Sequence, residues 1–223
     1  MNKNMLAPML LAMALLIGAA PAASAAAHDE SHSAAASEAA AVECVKPNIV
    51  KLQSALTKVW VDHAVWTQSY IVSALADLED QQAVLDRLMK NQQDIGDAIK
   101  PYYGEDAGNK LAELLKEHIA LAGKVVAAAE AGNQAEFNKA NKEWYRNADD
   151  IAKFLSGANP NWAMKDLQNM LYVHLQLLTE QTKARLAKDW KGEIAAYDKG
   201  VDHLIMLADV LTQGIVKQFP EKF

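Results

Sequence analysis

Residues 111–121 read LAELLKEHIAL. Leu111, Leu114, Leu115 and Leu121 recur at the three- and four-residue spacing of one helix face, which predicts an amphipathic helix with a leucine stripe for burial. His118 falls on that stripe. A polar group left unpaired in an apolar core costs about 1–3 kcal/mol, so an imidazole there needs a partner. Two other stretches share the pattern. Residues 56–66 (LTKVWVDHAVW) and 167–177 (LQNMLYVHLQL) also fit Leu-x-x-φ-φ-x-x-His-x-x-φ, where φ is large and apolar. The histidines are His63, His118 and His174, separated by 55 and 56 residues.

The correspondence extends beyond the histidines. NQQDI at 91–95 matches NADDI at 147–151, again 56 residues apart, and a further 56 from Asn147 reaches His203. Self-similarity at a fixed period is the mark of a repeated supersecondary unit. The expected fold is all-α: six helices as three tandem helical hairpins forming an up-and-down bundle.

Apolar spacing and breaker residues set the expected limits. Helix 1 spans about 48–77, with Ile49, Leu52, Leu56, Val59, His63, Trp66 and Tyr70 on one stripe. Helix 2 runs from about 80 to Lys100, where Pro101 is expected to stop it. Helix 3 covers about 105–131 and ends at Gly132, helix 4 about 134–156, and helix 5 about 161–187. Helix 6 starts near Asp189 as N-cap and reaches Gln218, with Ile194, Tyr197, Val201, Leu204, Ala208, Leu211 and Ile215 on its apolar stripe. His63, His118, His174 and His203 all fall near the middle of their helices. In an up-and-down bundle midpoints share one height, so the four imidazoles are expected at one level. His203 lies beside its stripe, facing either a groove or solvent.

Neutral imidazole is the commonest metal ligand near neutral pH, and three such nitrogens make a site with an open position. The metal candidates are therefore His63, His118, His174 and His203, with a transition metal ion (Zn, Cu or Fe) as the cofactor. Asp94, Asp150, Asp62 and Glu117 are the expected acceptors behind the rings. Hairpins stacked in a row would hold the rings too far apart to share an ion, whereas a closed arrangement would bring them together. The plain alternative is a set of separate core histidines bonded to carbonyls, Tyr or Asp. Two further functional readings stay open: a metal-free interaction or scaffold module whose partner is another envelope protein, and a metal-dependent hydrolase using bound water. No phosphate-binding loop, nucleophile elbow, C-x-x-C or haem-attachment motif is present, so no substrate is indicated.

Residues 1–25 have one charge, Lys3, an apolar Leu/Met/Ala run and an Ala23-Ser24-Ala25 end. That is the pattern of a cleaved secretory signal peptide, and it predicts a periplasmic or secreted protein. Residues 26–46 are Ala/Ser-rich and are expected to form a disordered tail, leaving 47–223 as the helical domain. Cleavage after Ala25 would expose Ala26-Ala27-His28, a set of donors able to enclose Cu(II) or Ni(II) in a square plane. The lone Cys44 excludes an internal disulfide framework. The net charge of −6 argues against nucleic acid as a partner, and no apolar run after the leader is long enough for stable membrane insertion.

WVDHAVWTQSYI, IKPYYGEDAGNKLAELLKEHI, WYRNADDIAKFL and GIVKQFPEKF together resemble a family of small bacterial helical-bundle proteins, exported or soluble, over about 48–223. The resemblance carries the motifs WYxNADDIAxFL and GIxxQFPxKF. It implies a helical fold and no particular activity.

Overall fold

The computed structural model describes residues 46–223. The expected leader, most of the tail, Cys44 and the Ala26-Ala27-His28 motif lie outside the described residues. Six α-helices follow in order: α1 Pro47–Leu75, α2 Gln81–Tyr103, α3 Glu105–Glu130, α4 Gln134–Ala158, α5 Met164–Leu186 and α6 Trp190–Gln218, with a short 3-10 turn at Pro220–Lys222. No strand occurs among the described residues. No helix among them is long and apolar enough to cross a membrane.

Local chemistry explains most of the limits. Pro47 opens α1, where its missing N–H has no partner to lose. Asn133 caps α4 by accepting from Glu136 N–H at 3.2 Å, and Asp189 caps α6 by accepting from Gly192 N–H at 3.0 Å, as expected for that aspartate. Two expectations need correction. Pro101 does not stop α2; it sits inside the last turn, and the helix closes at Tyr103. So near the end, proline removes only one intrahelical donor. The Lys100 carbonyl is still used, by Gly104 N–H at 2.9 Å, and Gly104 makes the sharp exit at φ 85°. Helix α5 starts three residues late because Asn159 Oδ1 accepts from the Asn161 backbone and side chain, at 2.8 and 3.0 Å, and holds that segment in a turn. Trp162 then drops into the core and donates to Val210 O at 3.2 Å.

Each helix packs on the next, and α6 packs back on α1. The helices therefore close into a ring and do not stack in a row. Within the ring α1, α3 and α5 also touch one another. The main core runs through Leu56, Trp60, Leu111, Ile151, Leu175 and Leu211; a smaller cluster of Ile71, Ala74 and Val126 lies further along the same inner helices. On α1, Thr67 lies between the residues of these two clusters, and His63 falls within the stretch that feeds the first. The α6 stripe is buried from Leu204 through Ile215, but Ile194 is 60% exposed. Glu193 takes the inward place there, because Arg185 matches its charge at 2.9 Å.

The α2–α3 contact depends on absent side chains. A Cβ on Gly96 would lie 2.3 Å from the Gly108 carbonyl oxygen and 2.9 Å from Ala112 Cβ. Gly96→Ala should therefore destabilise the fold by about 1–3 kcal/mol, overriding alanine's better helix propensity. The midpoint of denaturant unfolding measures this, and an unchanged midpoint would contradict the close packing.

Candidate functional site

The ring of helices brings together three of the four histidines. His63 on α1, His118 on α3 and His174 on α5 are 2%, 3% and 5% exposed. Ring centroids of His63 and His174 are 5.7 Å apart, and those of His118 and His174 are 6.1 Å apart. Trp60 meets His63 edge-on at 5.8 Å, and Trp144 tilts against His118 at 5.3 Å. These side chains form a polar layer across an otherwise apolar centre.

Amides on the outer helices satisfy part of that layer. His118 Nδ1 donates to Asn147 Oδ1 at 2.8 Å, while its Nε2 accepts from Trp144 Nε1–H at 3.0 Å. This fixes a neutral ring protonated at Nδ1 and commits both nitrogens. His63 is bonded at Nδ1, with Gln92 Nε2 at 3.3 Å and Asn91 also in hydrogen-bond reach of the ring. Since the Gln92 N–H donates, that bond places the ring proton on Nε2; the tautomer that His118 adopts would free the Nε2 lone pair and give up the Gln92 bond. His174 differs again: its Nδ1 is buried and has no hydrogen-bond partner.

The three pairs of neighbouring helices share one further contact. Asn91 Nδ2 donates to Val59 O at 2.9 Å, Asn147 Nδ2 to Leu114 O at 3.1 Å, and His203 Nε2 to Met170 O at 2.7 Å. Each acceptor carbonyl lies four residues before a core histidine. His203 thus occupies the place that asparagine holds in the other two pairs. It is 7% exposed, facing neither an open groove nor solvent, and its Nε2 is committed to a carbonyl. With imidazole there instead of an amide, His174 has no counterpart of the Asn147 oxygen. This accounts for its unpartnered Nδ1.

The acids expected behind the rings are elsewhere, which corrects the reading from sequence. Asp62 pairs with Lys58 at 2.6 Å, Asp94 with Lys90 at 2.6 Å, and Asp150 with Arg146. Glu117 pairs with Arg146 at 2.6 Å and reaches the layer only by accepting from Asn147 Nδ2 at 3.3 Å. Carboxylates keep to the wet rim with cations because burying them is costly, and neutral amides take the inner positions. Asn91, Gln92, Asn147 and Trp144 are therefore the site residues that sequence reasoning missed. The signal was present: Asn91, Asn147 and His203 are in register at 56-residue steps.

Burial holds the rings neutral. Desolvation lowers His63 to about 4, helped by the nearby His118, while bonds from Asn91 and Gln92 partly oppose the shift. Desolvation likewise lowers His118 to about 4, against the opposing pull of Asn147 and Glu117. His174 is driven well below 6.5 by desolvation first and by His63, His118 and His203 second. A cavity of about 20 Å³ adjoins His63, Thr67, His118 and Trp144, with Leu88 and Ile119 among its apolar walls. That is room for about one water-sized sphere. Among the described residues, four buried side-chain polar atoms have no hydrogen-bond partner: Trp60 Nε1, Thr67 Oγ1, Gln92 Oε1 and His174 Nδ1. Trp60, Gln92 and His174 all neighbour the His63 ring. Among the described residues, no group of three or more His, Cys, Asp or Glu side chains is arranged to hold a metal ion. No family model, curated protein or solved structure matches the chain.

Stability of the metal-free protein should depend on pH in a defined direction. The rings titrate near 6.5 when unfolded but His63 and His118 only near 4 when folded. Between those values the unfolded chain binds more protons, so stability is full above about pH 7 and falls toward pH 4, by roughly 3 kcal/mol per ring at most. Denaturant unfolding between pH 7.5 and pH 4.5 reads this out. A flat profile would mean that the rings are charged or solvated.

Proposed function

We propose that this chain is an exported, periplasmic helical-bundle protein, built of three tandem hairpins, that binds a transition metal ion at its core histidines. His63 and His174 are the ligands in this reading. His118 keeps its nitrogens on Asn147 and Trp144, and His203 stays on the Met170 carbonyl. The observation that carries the reading is the convergence of three neutral imidazoles, one with a buried nitrogen that nothing satisfies. An ion held at about 2.0–2.1 Å by one nitrogen of each of two rings leaves their centroids about 5–6 Å apart, the range found here. The three matching hydrogen bonds from Asn91, Asn147 and His203 support the repeated hairpin.

A second reading has its own support. Both nitrogens of His118, and Nε2 of His203, already have partners, as separate core histidines would. In addition, Trp190 and Ile194 at the start of α6 are 53% and 60% exposed, near the 39% exposed Leu186 at the end of α5. This pattern suits a metal-free interaction module with an envelope protein as its partner. The hydrolase reading has less behind it, since the cavity beside the rings is too small for an organic substrate.

Elemental analysis of untagged protein decides between the first two. Reconstituted wild type should retain about one equivalent of metal, and His63→Ala and His174→Ala should each lose it, their folding checked by circular dichroism. Retention below about 0.1 equivalent by folded wild type would favour the interaction module.

A further inference from the structure

We infer that the ion accepted between His63 and His174 is a monovalent d10 cation, Cu(I) or its redox-inert analogue Ag(I), and not a divalent one. This rests on the metal reading above and names the class of ion. Only neutral imidazoles converge at the centre, and the acids tied into the surrounding polar groups are already matched. Glu117 is paired with Arg146, and the buried Glu193 with Arg185. A divalent ion would therefore bring two uncompensated charges into an apolar layer. The cost of moving an ion out of water rises with the square of its charge, so it is about four times greater for a divalent than for a monovalent ion of the same radius.

Coordination number points the same way. Zn(II) takes four ligands in structural sites, and an open site completes the set with water. Here the committed nitrogens of His118 leave two rings to ligate, and the small cavities beside them, about 20 Å³ next to His63 and about 10 Å³ next to His174, have no room for an ion with its waters. Monovalent d10 ions have no ligand-field preference and are stable with as few as two nitrogen donors, at an angle that can bend from linear. The rings of His63 and His174, with centroids 5.7 Å apart, can both reach one such ion at a bent angle. Binding is a plain ligation: each nitrogen donates a lone pair, no electron is transferred, and the displaced species is whatever water fills the cavity.

The test compares Ag(I) with Zn(II) on the full chain carrying Cys44→Ser, since a free thiol would bind Ag(I) by itself. Equilibrium dialysis with metal analysis should show about one equivalent of Ag(I), bound at least tenfold more tightly than Zn(II). His63→Ala and His174→Ala should abolish it. His203→Asn restores the amide found in the other two pairs and gives His174 Nδ1 an acceptor, so it should keep the fold and weaken Ag(I) binding about tenfold or more. Imidazole nitrogen NMR of the Cys44→Ser chain gives a readout that does not depend on the histidine variants: His63 and His174 should shift on adding Ag(I) while His118 does not. Zn(II) binding as tight as Ag(I) would overturn the choice of ion but leave the metal site standing. Ag(I) binding with no shift at His63 and His174 would overturn the choice of ligands. Failure of both ions to bind would overturn the metal reading itself.

Discussion

Three imidazoles are buried away from bulk solvent, and this desolvation dictates much of the molecule's centre. It makes the charged form costly, so the rings are neutral, and a neutral ring presents one donor and one acceptor. Both must be answered from within the bundle. Part of the answer comes from the outer helices, through Asn91 and Gln92 on α2 at His63 and through Asn147 and Trp144 on α4 at His118; Asn91, Asn147 and His203 are each tied to a carbonyl one turn before a histidine. These bonds set the height at which each outer helix sits against its inner neighbour. Leucines alone would leave that height loosely specified, since apolar contacts have no direction.

The three pairs of neighbouring helices, α1 with α2, α3 with α4 and α5 with α6, then differ in ways that give each ring its own character. In the second, Trp144 caps the inner nitrogen of His118; the matching positions in the first and third hold Leu88 and Gly200, which cannot donate from a side chain. In the third, His203 replaces the amide, and His174 loses the acceptor that His118 has. One ring is closed, one is half-satisfied and one is open. A set of purely structural histidines would gain stability from completing all three, because each buried unpaired group is a cost. In the metal reading proposed above, that deficit is what the ion would fill.

Much of this was legible beforehand, and the reasons differ from part to part. Helix number and span follow from the spacing of residues such as Leu111, Leu114, Leu115 and Leu121, and from local capping groups such as Asp189. The level of the histidines follows from their midpoint positions. Pro101 misled because proline's penalty depends on how many turns follow it, and here almost none does. Asp94 and Asp150 drew attention as strong acceptors, yet the neighbouring Lys90 and Arg146 hold them at the rim. The asparagines beside them in the same motifs reach the rings instead, since an amide crosses into a dry core at far less cost than a carboxylate.

What the sequence by itself determined is the helical architecture and the identity of the central imidazoles, because both are encoded in local periodicity and in a repeat of about 56 residues. What only the tertiary structure decided is the closure of the ring by α6 against α1, and with it which nitrogens are taken and which are free. Hairpins of this pattern could stack in a row or close on themselves. That choice depends on packing between segments more than a hundred residues apart, and periodicity along the chain carries no record of it.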